Sequence, residues 1–236
     1  MLELKNICIS LANSGRELVR DFSFTLMPGD KAAVIGEEGN GKSTLLRYIS
    51  DPEYVERYCH CSGKITCRAI IGYLPQMTED RHMSMSIEDF LCEDTGWANP
   101  AVLSRLGLDP DLASSSRTLS TLSGGERVKL HLAKLLMGEP DILLLDEPTN
   151  DLDLDALEWL ENFISSTNLP AMYISHDETL IEKTANVIIH IEQLIRKTQP
   201  RITVSRCDYR SYLLQRSINF AKQEQVARFQ RDDYKK

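Results

Sequence analysis

The stretch Gly36-Glu-Glu-Gly-Asn-Gly-Lys-Ser-Thr44 constrains this chain more than any other feature. It follows a short apolar run, Lys31–Ile35, and opens a segment of helical character that stops near Pro52. The pattern G-x-x-x-x-G-K-[ST] between a strand and a helix has a physical reading. Gly36, Gly39 and Gly41 let the backbone N–H groups of Glu37 to Thr44, Asn40 among them, turn inward around anionic oxygens. A helix starting at Gly41 aims its unpaired N–H groups and its positive dipole end at the same anion. Lys42 is expected to reach the terminal phosphates of a nucleotide, and Ser43 to offer a hydroxyl to Mg2+. Glu37 and Glu38 place negative charge beside this cradle. Their side chains are expected to face solvent, with only the backbone turned to the ligand.

The surrounding pattern predicts an α/β fold. Leu2–Leu11 and Glu17–Leu26 read as strands joined by the turn at Asn13-Ser-Gly15, and residues 63–76 as a further strand pair ending at Tyr73-Leu-Pro-Gln76. Residues 77–121 read as helical and loop-like. A firmer helix runs from about Gly125 to Met137 and stops at Gly138 and Pro140. Ile142–Leu145 is wholly apolar, as expected of a strand buried on both faces. Leu154–Ser166 reads as a helix, and Ala171–Ser175 and Val187–Ile191 as strands. Strands alternating with helices predict a parallel sheet covered by helices.

Two more segments carry chemistry. The apolar strand ends in Asp146-Glu147, two adjacent carboxylates expected to point differently and do different work: Asp146 in a Mg2+ shell, Glu147 on an attacking water. Ser123-Gly-Gly-Glu126 opens the helix that ends at Met137, and Gly124 and Gly125 at a helix N-terminus predict a second anion nest. One nucleotide needs only one cradle of its own, so the second is expected to cap a nucleotide held by another subunit. A plain N-cap at Ser123 is the simpler alternative.

Composition narrows the class. No run of 18 apolar residues is present, which excludes a membrane-spanning helix, and direct membrane insertion is not expected. Six cysteines are scattered without a C-x-x-C pair, which fits free thiols in a reducing cytoplasm. Cys59-His-Cys61 with Cys67 matches no standard zinc spacing. The net charge of −8 is uneven: residues 206–236 hold eight Lys/Arg against four Asp/Glu, a net of +4, leaving −12 on the first 205. A basic tail on an acidic body predicts a partner for the tail.

With these motifs in this order, the chain resembles an ATP-binding cassette (ABC) ATPase domain over roughly residues 1–205. The resemblance implies a P-loop NTPase core with an antiparallel β subdomain and a helical signature subdomain at about 77–137. A C-terminal linker helix follows. It implies ATP and Mg2+ as ligands. It places Gln76 as the Q-loop residue beside Mg2+, Asn150-Asp-Leu-Asp153 as the D-loop, and His176 in Tyr173-Ile-Ser-His-Asp177 as the switch histidine that works with Glu147. One position departs. Where the family often carries an aromatic residue on the adenine, this chain has Leu11. A weaker apolar base contact, shared with Val19, is expected, and the preference for ATP over GTP stays open.

Glu126, at the end of the signature segment Leu122-Ser-Gly-Gly-Glu126, and Glu147-Pro-Thr-Asn-Asp-Leu-Asp153 resemble the ABC-F family, whose usual motif has His where Asp151 stands here. That resemblance implies a soluble protein with two cassettes acting on ribosomes, as a translation factor or in antibiotic resistance. Residues 206–236 then begin a basic interdomain linker suited to an RNA partner. Leu213, Phe220, Ala227 and Tyr234 recur at seven-residue spacing, too thin a stripe for a coiled coil. The polar segment runs to Lys236 without a stop signal, as expected of a first cassette joined to a second. The competing expectation is the energy subunit of a membrane transporter. A non-hydrolysing interaction module fits poorly, because both carboxylates and His176 are present.

Overall fold

Two sheets with different hydrophobic periods organise the chain. The computed structural model describes residues 1–76, 80–150, 152–194 and 199–219. Strands β1 (Leu2–Leu11), β2 (Glu17–Leu26) and β4 (Cys59–Cys67) form an antiparallel sheet in the order β2-β1-β4. Their residues alternate between core and solvent, as a half-covered antiparallel sheet requires. The six-stranded sheet runs β5-β6-β7-β3-β8-β9, built from β3 (Lys31–Ile35), β5 (Ile71–Leu74), β6 (Ile142–Asp146), β7 (Ala171–Ile174), β8 (Val187–Leu194) and β9 (Gln199–Ser205). The first five strands in that order are parallel, and β9 pairs antiparallel to β8. Every residue of β6 and β7 is buried, so their continuous apolar runs follow from cover on both faces.

The large sheet is a middle layer, and its two faces separate by parity. Leu74, Leu145, Tyr173, Ala33 and Ile188 sit in one register row and join one apolar core. Helices α4 (Ile87–Thr95), α5 (Pro100–Arg105), α6 (Gly124–Met137), α7 (Leu154–Ser166) and α8 (Glu178–Thr184) contribute to that core. The next row, Ile174, Val34 and Ile189, enters the opposite core. There the cover is the antiparallel sheet with α1 (Lys42–Ser50) and α2 (Pro52–Glu56). The short helix α3 (Asp80–Met83) precedes α4, and the last described residues, 209–219, are helical.

The α/β class with an antiparallel sheet, a largely parallel sheet and a helical segment agrees with the sequence expectation. One reading needs correction. Residues 63–76 do not form a strand pair: β4 lies beside β1 in the small sheet, whereas β5 lies beside β6 in the large one. The turn residues between them separate two sheets rather than closing a hairpin. Strand β9 was not foreseen, because its alternating polar residues belong to an edge. The Cys59–Cys61 segment lies within β4, and the described residues contain no cluster of three metal-ligating side chains. Asp151, residues 77–79 and the tail positions Phe220, Ala227 and Tyr234 lie outside the described residues.

The loop after β3 is seated against β8. Gly36 has φ of 146°, and a Cβ there would stand 2.2 Å from the carbonyl oxygen of Ile191. The obstacle is backbone, so it cannot rotate away. Buried Asn40 donates from Nδ2 to that same carbonyl at 3.2 Å, which ties the loop to β8 from its other end.

Two stability measurements check this architecture. Leu144 is fully buried at the centre of β6, and Leu144→Ala is expected to cost about 2–5 kcal/mol in urea unfolding. Gly36→Ala must displace either the loop or β8, and is expected to cost at least about 1–3 kcal/mol by the same measurement. A neutral Gly36→Ala would show that the loop is not held against β8.

Candidate functional site

Parallel pairing brings the candidate residues together. The adjacent strands β5, β6, β7 and β3 all end on one edge. Gln76 follows β5, Asp146 and Glu147 close β6, His176 follows β7, and Gly36–Thr44 follows β3. Neighbouring strands lie about 4.8 Å apart, so residues more than 100 positions distant in sequence become side-chain neighbours. Crevices at the carboxyl ends of such strands are the usual ligand sites of open α/β sheets.

The glycine loop forms a cradle with a buried ammonium. Gly36, Gly39 and Gly41 all have positive φ, and Gly41 in the left-handed region is the N-cap of α1. Lys42 is 5% exposed, and its Nζ donates to the carbonyls of Gly36 at 2.7 Å and Glu37 at 3.0 Å. Among the described residues it forms no ion pair with a carboxylate. Burial holds its pKa below the ordinary lysine value, opposed by the charges of Glu147, Glu38 and Asp146. A buried cation whose contacts are carbonyls, at a helix N-terminus and among left-handed glycines, fits a polyphosphate. Glu37 and Glu38 are exposed, as expected. Thr44 is half-buried in the first turn of α1.

The two carboxylates diverge. Asp146 is 3% exposed; Ser43 donates from Oγ to its Oδ1 at 2.9 Å, and Tyr73 donates from Oη to its Oδ2 at 3.2 Å. Burial raises the Asp146 pKa, and the two hydrogen bonds pull it back. The Tyr73 phenol is pushed well up, first by burial and then by the Asp146 charge, so it remains a donor. Hydroxyl and carboxylate oxygens side by side are the donor set a hard divalent cation takes. Glu147 points elsewhere because its backbone turns left-handed, with φ of 49°. Because β6 stops at Asp146, this turn rather than strand alternation makes the divergence. Glu147 accepts from Gln76 Nε2 and Asn150 Nδ2, each at 3.0 Å to Oε2. His176 Nε2 stands 3.5 Å from its Oε1. Gln76, two residues past the end of β5, thus touches Glu147 rather than Asp146.

Ser123–Glu126 lies apart from this cluster. Ser123 caps α6 in a reciprocal box: Glu126 N–H donates to Ser123 Oγ at 3.2 Å, and Ser123 N–H donates to Glu126 Oε2 at 2.8 Å. That backbone hydrogen bond is the main reason the Glu126 pKa is lowered. Gly124 and Gly125 are the first two helical residues, whose amides precede any intrahelical acceptor. A Cβ at Gly125 would meet Ala156 Cβ of α7 at 2.7 Å, which accounts for one of the two glycines by packing. Helix α6 joins one core of the large sheet and α1 the other. The signature and the glycine loop therefore belong to opposite faces of one sheet.

Leu11 is half-buried at the end of β1. Val19 needs correction as a base contact: it is 1% exposed and points into the apolar core from β2, so it offers no surface to a ligand. Four residues carry contacts that the motifs do not foretell. Tyr73 reaches Asp146 only through the pairing of β5 with β6. Arg16 donates from Nη2 to the Gly39 carbonyl at 3.0 Å, across 23 residues. Thr149 and Ser175 hydroxyls lie 3.3 Å apart and link the segments carrying Glu147 and His176. Thr149 and Ser175 lie within motifs already recognised, whereas nothing local marks Arg16.

Comparison with known proteins agrees with this geometry. A family model described as ABC transporter matches residues 19–150. An ATP-binding cassette sub-family F member 3 homolog of Encephalitozoon cuniculi is 33% identical, covering 89% of this chain and 34% of that protein. Ribosome protection protein VmlR of Bacillus subtilis is 36% identical over 78% of this chain and 33% of its own length. Elongation factor 3B of Saccharomyces cerevisiae is 31% identical over 87% of this chain and 19% of its own. The chain thus spans about a third or less of these relatives. Among solved structures, an inward-facing metal-chelate type ABC transporter has a TM-score of 0.69 at 23% identity, over 87% of this chain and 82% of the other. The expected likeness to sub-family F is met among these relatives. With the family model matching more than half of its residues and several of the family's motifs meeting on one strand edge, the chain belongs to the ATP-binding cassette (ABC) family.

Proposed function

We propose that this chain is an ATP-binding and ATP-hydrolysing cassette of sub-family F type. Residues 1–205 form the cassette and residues 206–236 begin the linker. The observation that carries the reading is the convergence of Gln76, Asn150 and His176 on Glu147, beside the Ser43–Asp146 pair. Lys42 and the amides of Gly36–Thr44 hold the β- and γ-phosphates of ATP, and Leu11 offers the base an apolar edge. Ser43, Asp146 and Gln76 hold Mg2+. When bound, that ion offsets charge on the phosphate oxygens. Glu147 orients the attacking water and takes its proton, and His176 steadies Glu147 and the γ-phosphate. The water oxygen bonds to the γ-phosphorus, the bond to the β–γ bridging oxygen breaks, and ADP and phosphate leave.

A second cassette completes the site, in the same polypeptide or as a head-to-tail partner. Helix α6 and the glycine loop lie on opposite faces of one sheet. Ser123, Gly124, Gly125 and Glu126 therefore serve a nucleotide held by the other cassette, and an isolated cassette turns over slowly. Closure over ATP and reopening after hydrolysis govern attachment to the ribosome in the cytoplasm, with the basic tail toward RNA. Relatives named for ribosome protection and elongation support this reading. No helix among the described residues is long and apolar enough to cross a membrane.

Ribosome pelleting with the intact gene product tests it. Glu147→Gln is expected to slow ATP hydrolysis by about 100-fold or more while keeping ATP binding, and to pellet with ribosomes in an ATP-dependent manner. Hydrolysis at the wild-type rate would remove Glu147 from its assigned role. Association with a membrane permease in place of ribosomes would overturn the sub-family F function.

A further inference from the structure

Asp146 is held from two sides, and only one of them belongs to the glycine loop. Ser43 Oγ donates to Oδ1 at 2.9 Å and Tyr73 Oη donates to Oδ2 at 3.2 Å. A carboxylate with one donor can still rotate about its Cβ–Cγ bond. With a donor on each oxygen, from different elements, the plane of the group is set.

The placement of Tyr73 follows from strand register. Tyr73 on β5 pairs with Leu144 on β6, two residues before Asp146. Two residues of strand advance about 6.6 Å, a span a tyrosine side chain covers when it leans along the strand. Residues 144 and 146 share a face, and Tyr73 packs against the core on that face. The ring is braced in turn. The Arg47 guanidinium lies 5.2 Å from the Tyr73 ring centroid and 4.5 Å from that of Tyr54. Arg47 stands four residues after Ser43 on α1, so one helix face presents both. The result is a closed circuit: α1 supplies Ser43 to one oxygen of Asp146 and Arg47 to the back of the tyrosine that holds the other.

We infer that Tyr73 is a positioning residue for the divalent-cation site, acting through Asp146 rather than on nucleotide. This rests on the proposed role of Asp146 in holding Mg2+. Ser43 touches both the carboxylate and the proposed ion position, whereas Tyr73 secures the carboxylate from outside the glycine loop. Losing an outer partner of this kind lowers metal affinity without altering the ligand set.

The test uses the 236-residue chain and ATP, with binding followed by calorimetry in EDTA and across a Mg2+ titration. Tyr73→Phe keeps the ring and removes the hydroxyl. It is expected to leave ATP affinity in EDTA unchanged and to raise the Mg2+ midpoint roughly tenfold, the lower end of the cost of an outer-shell partner. Arg47→Gln keeps the hydroxyl and removes the brace, and is expected to raise that midpoint by no more than about threefold. An unchanged midpoint in Tyr73→Phe overturns the inference. So does an equal loss of affinity with and without Mg2+, which a merely structural role produces, and so do equal shifts in the two variants. If wild type binds no ATP under either condition, the proposed function itself fails, an outcome distinct from a wild-type response that Tyr73→Phe shares.

Discussion

The site depends on the parallel alignment of β5, β6, β7 and β3. Each strand delivers one element to a common edge: Gln76, the acidic pair, His176 and the glycine loop. None of the four is useful alone. A shift of one residue between β6 and β7 would exchange the faces of Leu145 and Asp146, burying the carboxylate among the helices instead of beside Ser43. The apolar residues of β6 would suit either face, so the Ser43 and Tyr73 hydrogen bonds to Asp146 are what oppose such a slip.

That arrangement also explains why the two carboxylates of the acidic pair meet different partners. Asp146 remains on the strand and shares the face of α1. Glu147 leaves through a left-handed residue, an unfavourable conformation for a side chain of its type that the surrounding contacts must maintain. Its carboxylate gathers Gln76, Asn150 and His176 from three separate segments. Backbone strain and polar convergence thus meet at this one residue. The signature helix illustrates the converse. Its N-terminus is complete as a capping box, and Gly125 is explained by Ala156, yet its face of the sheet holds no glycine loop.

Much of this was legible in the chain itself. The limits of β1, β2, β3 and α7, the glycine loop, the acidic pair and the signature follow from local rules: turn residues, caps, apolar periods and fixed motif spacing. They depend on neighbours within a few residues, so sequence suffices. Pairing was the harder matter. Residues 63–76 carry two strands, and nothing in their order shows that β4 joins β1 while β5 joins β6. Val19 illustrates a smaller misjudgement: it stands near Leu11 along the sheet, but its alternation places it in the core.

The sequence by itself determined that a glycine-rich loop, a carboxylate pair and a second helix N-terminus exist, because each is written in contiguous residues whose types are distinctive. Only the tertiary structure decided which of them meet. Tyr73 on Asp146, Arg16 on Gly39 and Asn40 on Ile191 join positions 73, 23 and 151 residues apart. The separation of α6 from α1 onto opposite faces was equally invisible. The physical reason is that contacts of this kind arise from sheet order and register, which every strand sets with its neighbours and none sets alone.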